Sequence, residues 1–91
     1  MTKFYELSAR YDRRASFYGK AHIKETNGLY TLISYDTEIL KQNKKTGKID
    51  FLCRDAWAFT QTTCRHINEF FKQYTNETSK TKKQLLQMAR G

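Results

Sequence analysis

The dipeptide Asn27-Gly28 lies between two short runs that have the composition and spacing of β-strands. Both residues tolerate a positive φ, which makes Asn-Gly the strongest short-range signal for a β-hairpin. Before the pair, apolar and polar residues alternate over residues 16–25, and after it the run LYTLISY is rich in aromatic and β-branched residues. The sequence therefore predicts an antiparallel hairpin in the fold.

Further strands are predicted on both sides of this hairpin. Residues 37–42 continue the ribbon after a bulge or bend at Tyr35-Asp36. The stretch NKKTGK then supplies another turn, and residues 49–53 return as a strand. Residues 3–11 fit the spacing of an edge strand and that of a short helix, so both remain open. The sequence thus predicts an antiparallel sheet of three to four strands.

Four apolar residues follow helical spacing between residues 61 and 74. Positions i, i+3, i+4 and i+7 lie on one helical face, so this segment is predicted to be an amphipathic helix packed against the sheet. Cys64 extends the same apolar face toward the start of the helix. A shorter, lysine-rich helix is predicted near the C-terminus. The four apolar residues are Ile67, Phe70, Phe71 and Tyr74.

Two expectations about individual side chains follow from this helix. Its polar residues should face solvent, because its apolar stripe faces the sheet. Trp57, just before the helix, should fill the junction between the last strand and the helix with its indole ring. The residues expected to face solvent are Arg65, His66, Asn68, Glu69 and Lys72. The other residues expected in the core are Phe17, Ile23, Leu32, Ile39, Phe51, Ile67, Phe70 and Phe71.

The length and punctuation of the chain predict a single domain. The 91 residues leave room for one core, and four glycines without any proline leave no linker. We therefore predict an α+β domain over residues 1–75, in which an antiparallel sheet packs against one amphipathic helix. Residues 76–91 are predicted to form a basic C-terminal helix or tail.

Neither a metal site nor a catalytic site is predicted. Cys53, Cys64, His22 and His66 could supply four zinc ligands, but there is no C-x-x-C pair, and Cys64 and His66 are two residues apart on a helix. The same spacing separates a cysteine nucleophile from its base. We therefore expect a non-enzymatic protein without a cofactor. The two cysteines are expected to be reduced thiols, with a single disulfide as the less favoured alternative.

The charge of the chain is strongly positive. Seventeen Lys and Arg against nine Asp and Glu give a net charge of +8, which favours phosphate backbones or acidic protein partners. The cations form three clusters along the chain, and rings alternate with lysines in the first predicted strand, a mixture suited to nucleic acid. The candidate binding residues are Arg13, Arg14, Tyr18, Lys20, His22, Lys24, Lys44, Lys45, Lys48, Arg65, His66, Lys72, Lys80, Lys82 and Lys83.

Three segments resemble a family of small, functionally uncharacterised proteins carried by phages and other mobile elements of low-GC bacteria. They are SFYGKAHI, GLYTLISYDTEI and W-x-F-T-x-T-T-x-R-H-I-x-E-F-F-K-Q, and the similarity covers residues 3–74. Thr62, Thr63, Arg65 and His66 match this pattern. The resemblance implies no activity, but it does imply a mobile-element setting, in which small proteins often act on nucleic-acid machinery, including as inhibitors of CRISPR and other defence systems.

Two functions therefore stay open at the level of sequence. The first is binding of nucleic acid or a nucleoprotein through the Lys and Arg clusters. The second is protein-directed inhibition of a host defence system, in the manner of an anti-CRISPR protein that occupies a nuclease surface. DNA, RNA and protein all remain possible targets, and either face of the domain could bind them. With no apolar run long enough for a membrane span and no apolar segment typical of a secretory signal, we expect a location in the cytoplasm of the bacterial host and no membrane partner.

Overall fold

The computed structural model of the chain describes residues 2–11 and 19–91, and these form an α+β domain. Its strands make one antiparallel sheet in which each strand pairs with the next along the chain. The predicted class is confirmed, but the sheet has five strands instead of three to four and carries two helices. The elements are β1 (Lys3–Glu6), β2 (Ala21–Thr26), β3 (Leu29–Ser34), β4 (Thr37–Asn43), β5 (Ile49–Phe51), α1 (Gln61–Tyr74) and α2 (Lys82–Arg90).

The Asn27-Gly28 pair forms the tip of the predicted hairpin between β2 and β3. Thr26 pairs with Leu29, so these two residues are the whole turn. The positive φ is confined to Gly28, at +80°, a conformation that residues with a Cβ adopt only rarely. The register set by this turn places Ile23 opposite Leu32.

The open alternative for the N-terminal segment is resolved in favour of a strand. Residues 3–6 pair with β2 as the edge of the sheet, with Lys3 opposite Glu25 and Glu6 opposite His22. The amide of Leu7 then donates a hydrogen bond of 2.9 Å to the carbonyl of Ala21. The Leu7 side chain is buried, so this segment also contributes to the core.

A β-bulge at Ile39 links the sheet to the segment after β5. Leu32 pairs with Leu40 while Ile33 pairs with Glu38, which leaves Ile39 without an opposite residue. The carbonyl of Ile39 instead accepts hydrogen bonds from the amides of Leu52 at 2.7 Å and Cys53 at 3.1 Å. The bulge therefore directs the chain from β5 toward the start of α1.

The core lies between the sheet and the two helices. Leu32 from the sheet and Phe70 from α1 are both fully buried, as is Leu85 from α2. Phe17, predicted in the core, lies outside the described residues. The confirmed core predictions are Ile23, Leu32, Ile39, Phe51, Ile67, Phe70 and Phe71, and buried residues that were not predicted include Leu7, Leu40, Phe59 and Leu85.

The prediction that Trp57 fills the junction before α1 is wrong. The Trp57 side chain is 80% exposed, and Phe59, two residues later, is fully buried in its place. A short 3-10 helix over Ala56–Ala58 carries Trp57 outward, and the Phe59 ring lies 6.1 Å from the Phe51 ring, between centroids. The junction is therefore filled by a smaller aromatic ring.

The predicted solvent side of α1 is also partly wrong. His66 is fully buried and Glu69 is 2% exposed, while Arg65 and Asn68 are half-buried. The buried face of α1 is thus wider than its apolar stripe, because it includes polar side chains that find hydrogen-bond partners in the protein. Lys72 is exposed, as predicted.

The second helix is attached to α1 through the side chain of Asn68. Its Nδ2 donates to the Lys80 carbonyl at 2.9 Å, and its Oδ1 accepts from the Lys80 amide at 2.8 Å. One residue later, Thr81 caps α2 and forms a capping box with Gln84. Buried Leu85 then packs α2 against the shared core.

We expect Asn68→Ala to destabilise the fold by about 1–3 kcal/mol, since two half-buried backbone groups of Lys80 lose their partners. The neighbouring variant Lys72→Ala should change stability by less than about 0.5 kcal/mol, because its side chain is exposed. Urea unfolding followed by circular dichroism measures both. Equal midpoints for the two variants would show that Asn68 does not hold α2.

Candidate functional site

The face of the sheet opposite the helices carries charges of both signs. Lys24 Nζ lies 3.1 Å from Glu38 Oε2, and Lys41 is opposite Asp50 in the strand register. An exposed pair of this kind adds little stability, but it lowers the positive potential that a polyanion would meet. The predicted contact residues of β2, His22 and Lys24, therefore lie on a surface without a clear excess of cations in its described part.

Aromatic rings on this sheet face are engaged with each other. The Phe4 ring stacks on His22, with 4.9 Å between centroids and 17° between planes. Phe4 remains 60% exposed. Lys20, also predicted to bind, is exposed just before β2. Three further candidates, Arg13, Arg14 and Tyr18, lie outside the described residues.

Lys44 belongs to a network on the helix-covered side of the sheet. Its Nζ lies 2.6 Å from Glu25 Oε2 and 4.7 Å from the centroid of the Tyr30 ring. The hydrogen bond from Lys44 lowers the pKa of Glu25. Tyr5 donates to Glu25 and contacts the Tyr74 hydroxyl, and burial followed by the Tyr74 bond raises the pKa of Tyr5 well above its usual value. Lys44 is thus already paired with a carboxylate of the same domain.

Two other predicted lysines, Lys45 and Lys48, are exposed at the turn between β4 and β5. This turn is held by Asn43, whose Oδ1 accepts from the amides of Lys45 at 2.8 Å and Thr46 at 3.1 Å. Gly47 follows with a φ of +77°. The two lysines therefore form a small cluster on a separate turn from the helices.

The helical layer holds cations that have no such carboxylate partners. Its two acidic residues, Glu69 and Glu77, are both engaged. Glu69 is buried and accepts from the Tyr11 amide and from Gln73, while Glu77 Oε2 lies 3.1 Å from Lys80 Nζ. Among the described residues, no carboxylate lies within 4.0 Å of the ammonium or guanidinium groups of Lys72, Lys82, Lys83 and Arg90.

Together with Arg65 on α1, these four cations form what we call the helical basic surface, defined as Arg65, Lys72, Lys82, Lys83 and Arg90. On α1, Arg65 and Lys72 are seven residues apart and share one side of the helix, with Asn68 between them. Because Asn68 binds the backbone of Lys80, the start of α2 lies against this side. On α2, Lys83 and Arg90 repeat the seven-residue spacing and, with Leu86, line an open groove of about 750 Å³.

His66, another predicted contact residue, instead joins α1 to the sheet. Its Nδ1 lies 2.8 Å from Ser34 Oγ, which is also 2.9 Å from Thr63 Oγ1. A hydroxyl beside an imidazole is the geometry of an activated nucleophile, but Ser34 is 2% exposed and His66 is fully buried. Sequence reasoning missed Ser34, although its position two residues after buried Leu32 in a strand places both on the same face.

The two cysteines are both free thiols. Cys64 is buried, and its Sγ lies 3.6 Å from the Phe59 carbonyl oxygen. Burial raises the pKa of the Cys64 thiol, and the positive charge of Lys82 opposes part of that rise. Within the described ranges, no group of three or more His, Cys, Asp or Glu side chains is arranged to hold a metal ion.

None of the helices in the described residues is both long enough and apolar enough to cross a membrane.

The fold and its surface define a class of small basic α+β domains, in which two helices cover one face of an antiparallel five-stranded meander. The chain belongs to the family of unknown function DUF8033, which it matches over residues 5–87. The match extends beyond the C-terminal limit of the resemblance seen in sequence and includes most of α2. Comparisons with curated proteins and with solved structures gave no match.

We expect thiol reagents to modify Cys53 before Cys64, because Cys53 is only half-buried while burial shields Cys64 and disfavours its thiolate. The single-cysteine variants Cys64→Ser and Cys53→Ser isolate the two rates, which absorbance assays with a disulfide reagent measure at mildly alkaline pH. Equal rates in the folded protein would contradict the burial of Cys64, and equal rates in denaturant serve as the control.

Proposed function

We propose that this protein is a non-enzymatic binding protein whose helical basic surface contacts the phosphates of a nucleic acid. The observation that carries the proposal is the separation of charge between the two layers. On the sheet, Lys24 and Lys44 have carboxylate partners, while Lys72, Lys82, Lys83 and Arg90 of the helical basic surface have no carboxylate within 4.0 Å among the described residues. An unmatched cation can release phosphate counterions on binding, whereas a matched one must first give up its partner.

Binding through this surface would depend on salt in a predictable way. Each phosphate neutralised lowers the slope of log K against log salt by about 0.7 for single strands and about 0.9 for duplex DNA. If all of the helical basic surface takes part, the slope should be roughly −3.5 to −4.5. A slope of this size would be typical of a moderate affinity that is driven mainly by electrostatic contacts with phosphates, rather than of tight binding to one nucleotide sequence.

The absence of a catalytic role is also part of this proposal. The one hydroxyl-imidazole pair found in the described structure, Ser34 with His66, is buried between β3 and α1 and has a structural use there. The sequence resemblance supports a setting in the cytoplasm of a bacterial host, in a protein carried by a phage or another mobile element. In that setting, the bound nucleic acid would be that of the element or its host.

A second candidate function is inhibition of a host defence system through a protein surface, in an anti-CRISPR-like manner. The exposed side of α2 supports this alternative, because Leu86 lies between cations in the groove and Met88 is 37% exposed. Apolar and arginine side chains together are typical of the centres of protein interfaces. On a nuclease, such a surface would bind an acidic region that is separate from the site at which the nuclease binds nucleic acid.

We expect the double variant Lys82→Glu/Lys83→Glu to weaken binding to labelled DNA or RNA by about tenfold or more at low salt, because two phosphate contacts become repulsive. The fold should be retained, since carboxylates in the first turn of α2 interact favourably with the helix dipole and stabilise the helix. Fluorescence anisotropy with single- and double-stranded DNA and RNA, at two salt concentrations, measures the affinities.

The matched control is Lys45→Glu/Lys48→Glu, which changes the net charge by the same amount at the separate β4–β5 turn. This variant should lose much less affinity than the α2 variant. Equal losses would show that net charge, and not the helical basic surface, attracts the nucleic acid. If the unmodified protein binds none of the four nucleic acids at low salt, the proposal fails and direct binding to defence nucleases becomes the test of the alternative.

A further inference from the structure

The most exposed large apolar side chain in the described part of the protein is Trp57, which is also the only tryptophan of the chain. Tryptophan is highly buried on average in folded proteins, and here 80% of its surface is accessible. A buried position for an aromatic ring does exist nearby, but Phe59, two residues later, occupies it. The packing of the domain therefore does not use the Trp57 ring.

Trp57 lies on the segment that connects β5 to the helices carrying the helical basic surface. The short helix that carries it leads directly to Phe59, whose carbonyl contacts the Cys64 thiol in the first turns of α1. The helix α2 packs against α1 and also against β5, the strand from which the chain leads to Trp57. Three residues before Trp57, Arg54 is exposed, and it is followed by one acidic residue, Asp55.

We infer that Trp57 is a stacking platform for unpaired bases of single-stranded DNA or RNA whose phosphates contact the helical basic surface. This inference rests on the proposed function and specifies its substrate class. An indole ring that projects from a turn can stack on a base only if that base face is not already covered by its neighbours, as it is within a duplex. Nearby cations then neutralise the adjoining phosphates, which is the usual combination in single-strand binding.

Phe4, an exposed ring on strand β1, is a weaker candidate for the same role. Its ring is already stacked on His22 and lies on the sheet face where lysines are paired with carboxylates. A base stacking there would compete with His22 and would bring its phosphates near Glu38. Phe4 therefore provides a matched aromatic control for Trp57.

The experiment uses the intrinsic fluorescence of Trp57 in the full chain, which has no second indole to obscure the signal. Titration with a short oligothymidylate, with oligouridylate and with a blunt DNA duplex of the same length compares the substrate classes. We expect the single strands to quench the emission and the duplex to leave it almost unchanged. The arm with the larger quenching identifies DNA or RNA as the preferred strand.

Affinity measurements on variants test the same inference and do not depend on the fluorescence of Trp57. We expect Trp57→Ala to lower single-strand affinity by about fivefold to a hundredfold, which is the usual range for losing one stacked base, and Trp57→Phe to restore part of it. Phe4→Ala should leave the affinity unchanged. Melting temperatures should stay close to that of the unmodified chain for the Trp57 variants, because the side chain is exposed.

The outcomes separate this inference from the proposed function. Salt-dependent binding that is lost in Lys82→Glu/Lys83→Glu but unaffected by Trp57→Ala would overturn the stacking role and leave phosphate binding intact. Equal weakening of single-strand and duplex binding by Trp57→Ala would also overturn it. Failure of every nucleic acid to bind at low salt would remove both.

Discussion

The packing of α1 across the sheet is the contact on which the rest of the structure depends. Phe70 and Ile67 are fully buried at this interface, and the Ser34–His66 hydrogen bond of 2.8 Å fixes the helix to the end of β3. A buried polar pair is costly unless both groups are satisfied, so it favours one alignment of helix and strand over its neighbours. Once α1 is fixed, Asn68 determines where α2 begins.

The same packing produces the difference in charge between the two faces. Glu69 points inward from α1 and is used by the Tyr11 amide and Gln73, so it does not offset the lysines on the outer side of the helix. On the sheet, strand pairing brings acids and lysines next to each other, as in Lys24 and Glu38. In the described part of the fold, the excess of cations in the sequence is thus distributed unevenly between the two faces.

Local signals predicted the parts of this fold that depend on local geometry. The Asn27-Gly28 turn and the apolar spacing of α1 are determined by backbone conformation and helical periodicity, and both were predicted correctly. β1 was left open because residues 3–11 fit the spacing of an edge strand and that of a short helix, and its pairing with β2 depends on partners about twenty residues away. The number of strands followed from that undecided segment.

Predictions failed where one side chain replaces another in the same space. Trp57 and Phe59 both lie near the junction before α1, and the sequence gives no local reason to prefer the smaller ring. Helical spacing places His66 outside the apolar stripe of α1, so it was predicted to face solvent. Its hydrogen-bond partner, Ser34, lies on a strand 32 residues earlier, and helical spacing does not reveal this contact. For the candidate site, the clusters of lysines could be predicted, but their pairing with carboxylates could not, since it depends on strand register.

The exposure of Trp57 follows from the route that the chain must take between β5 and α1. The bulge at Ile39 holds Leu52 and Cys53 by their amides, while Thr60 must be placed to cap α1 through Thr63. Only a few residues connect these two fixed points, and they include a 3-10 turn over Ala56–Ala58 in which no residue is buried, followed directly by buried Phe59. Phe59 takes the inner position, so a residue two positions earlier is directed outward. A large ring at that outward position gives the domain no packing benefit, whereas a small polar residue would fit the same turn equally well. The presence of tryptophan there, on the segment that leads into the cation-bearing helices, therefore supports the proposed contact with a ligand, since the fold does not require it.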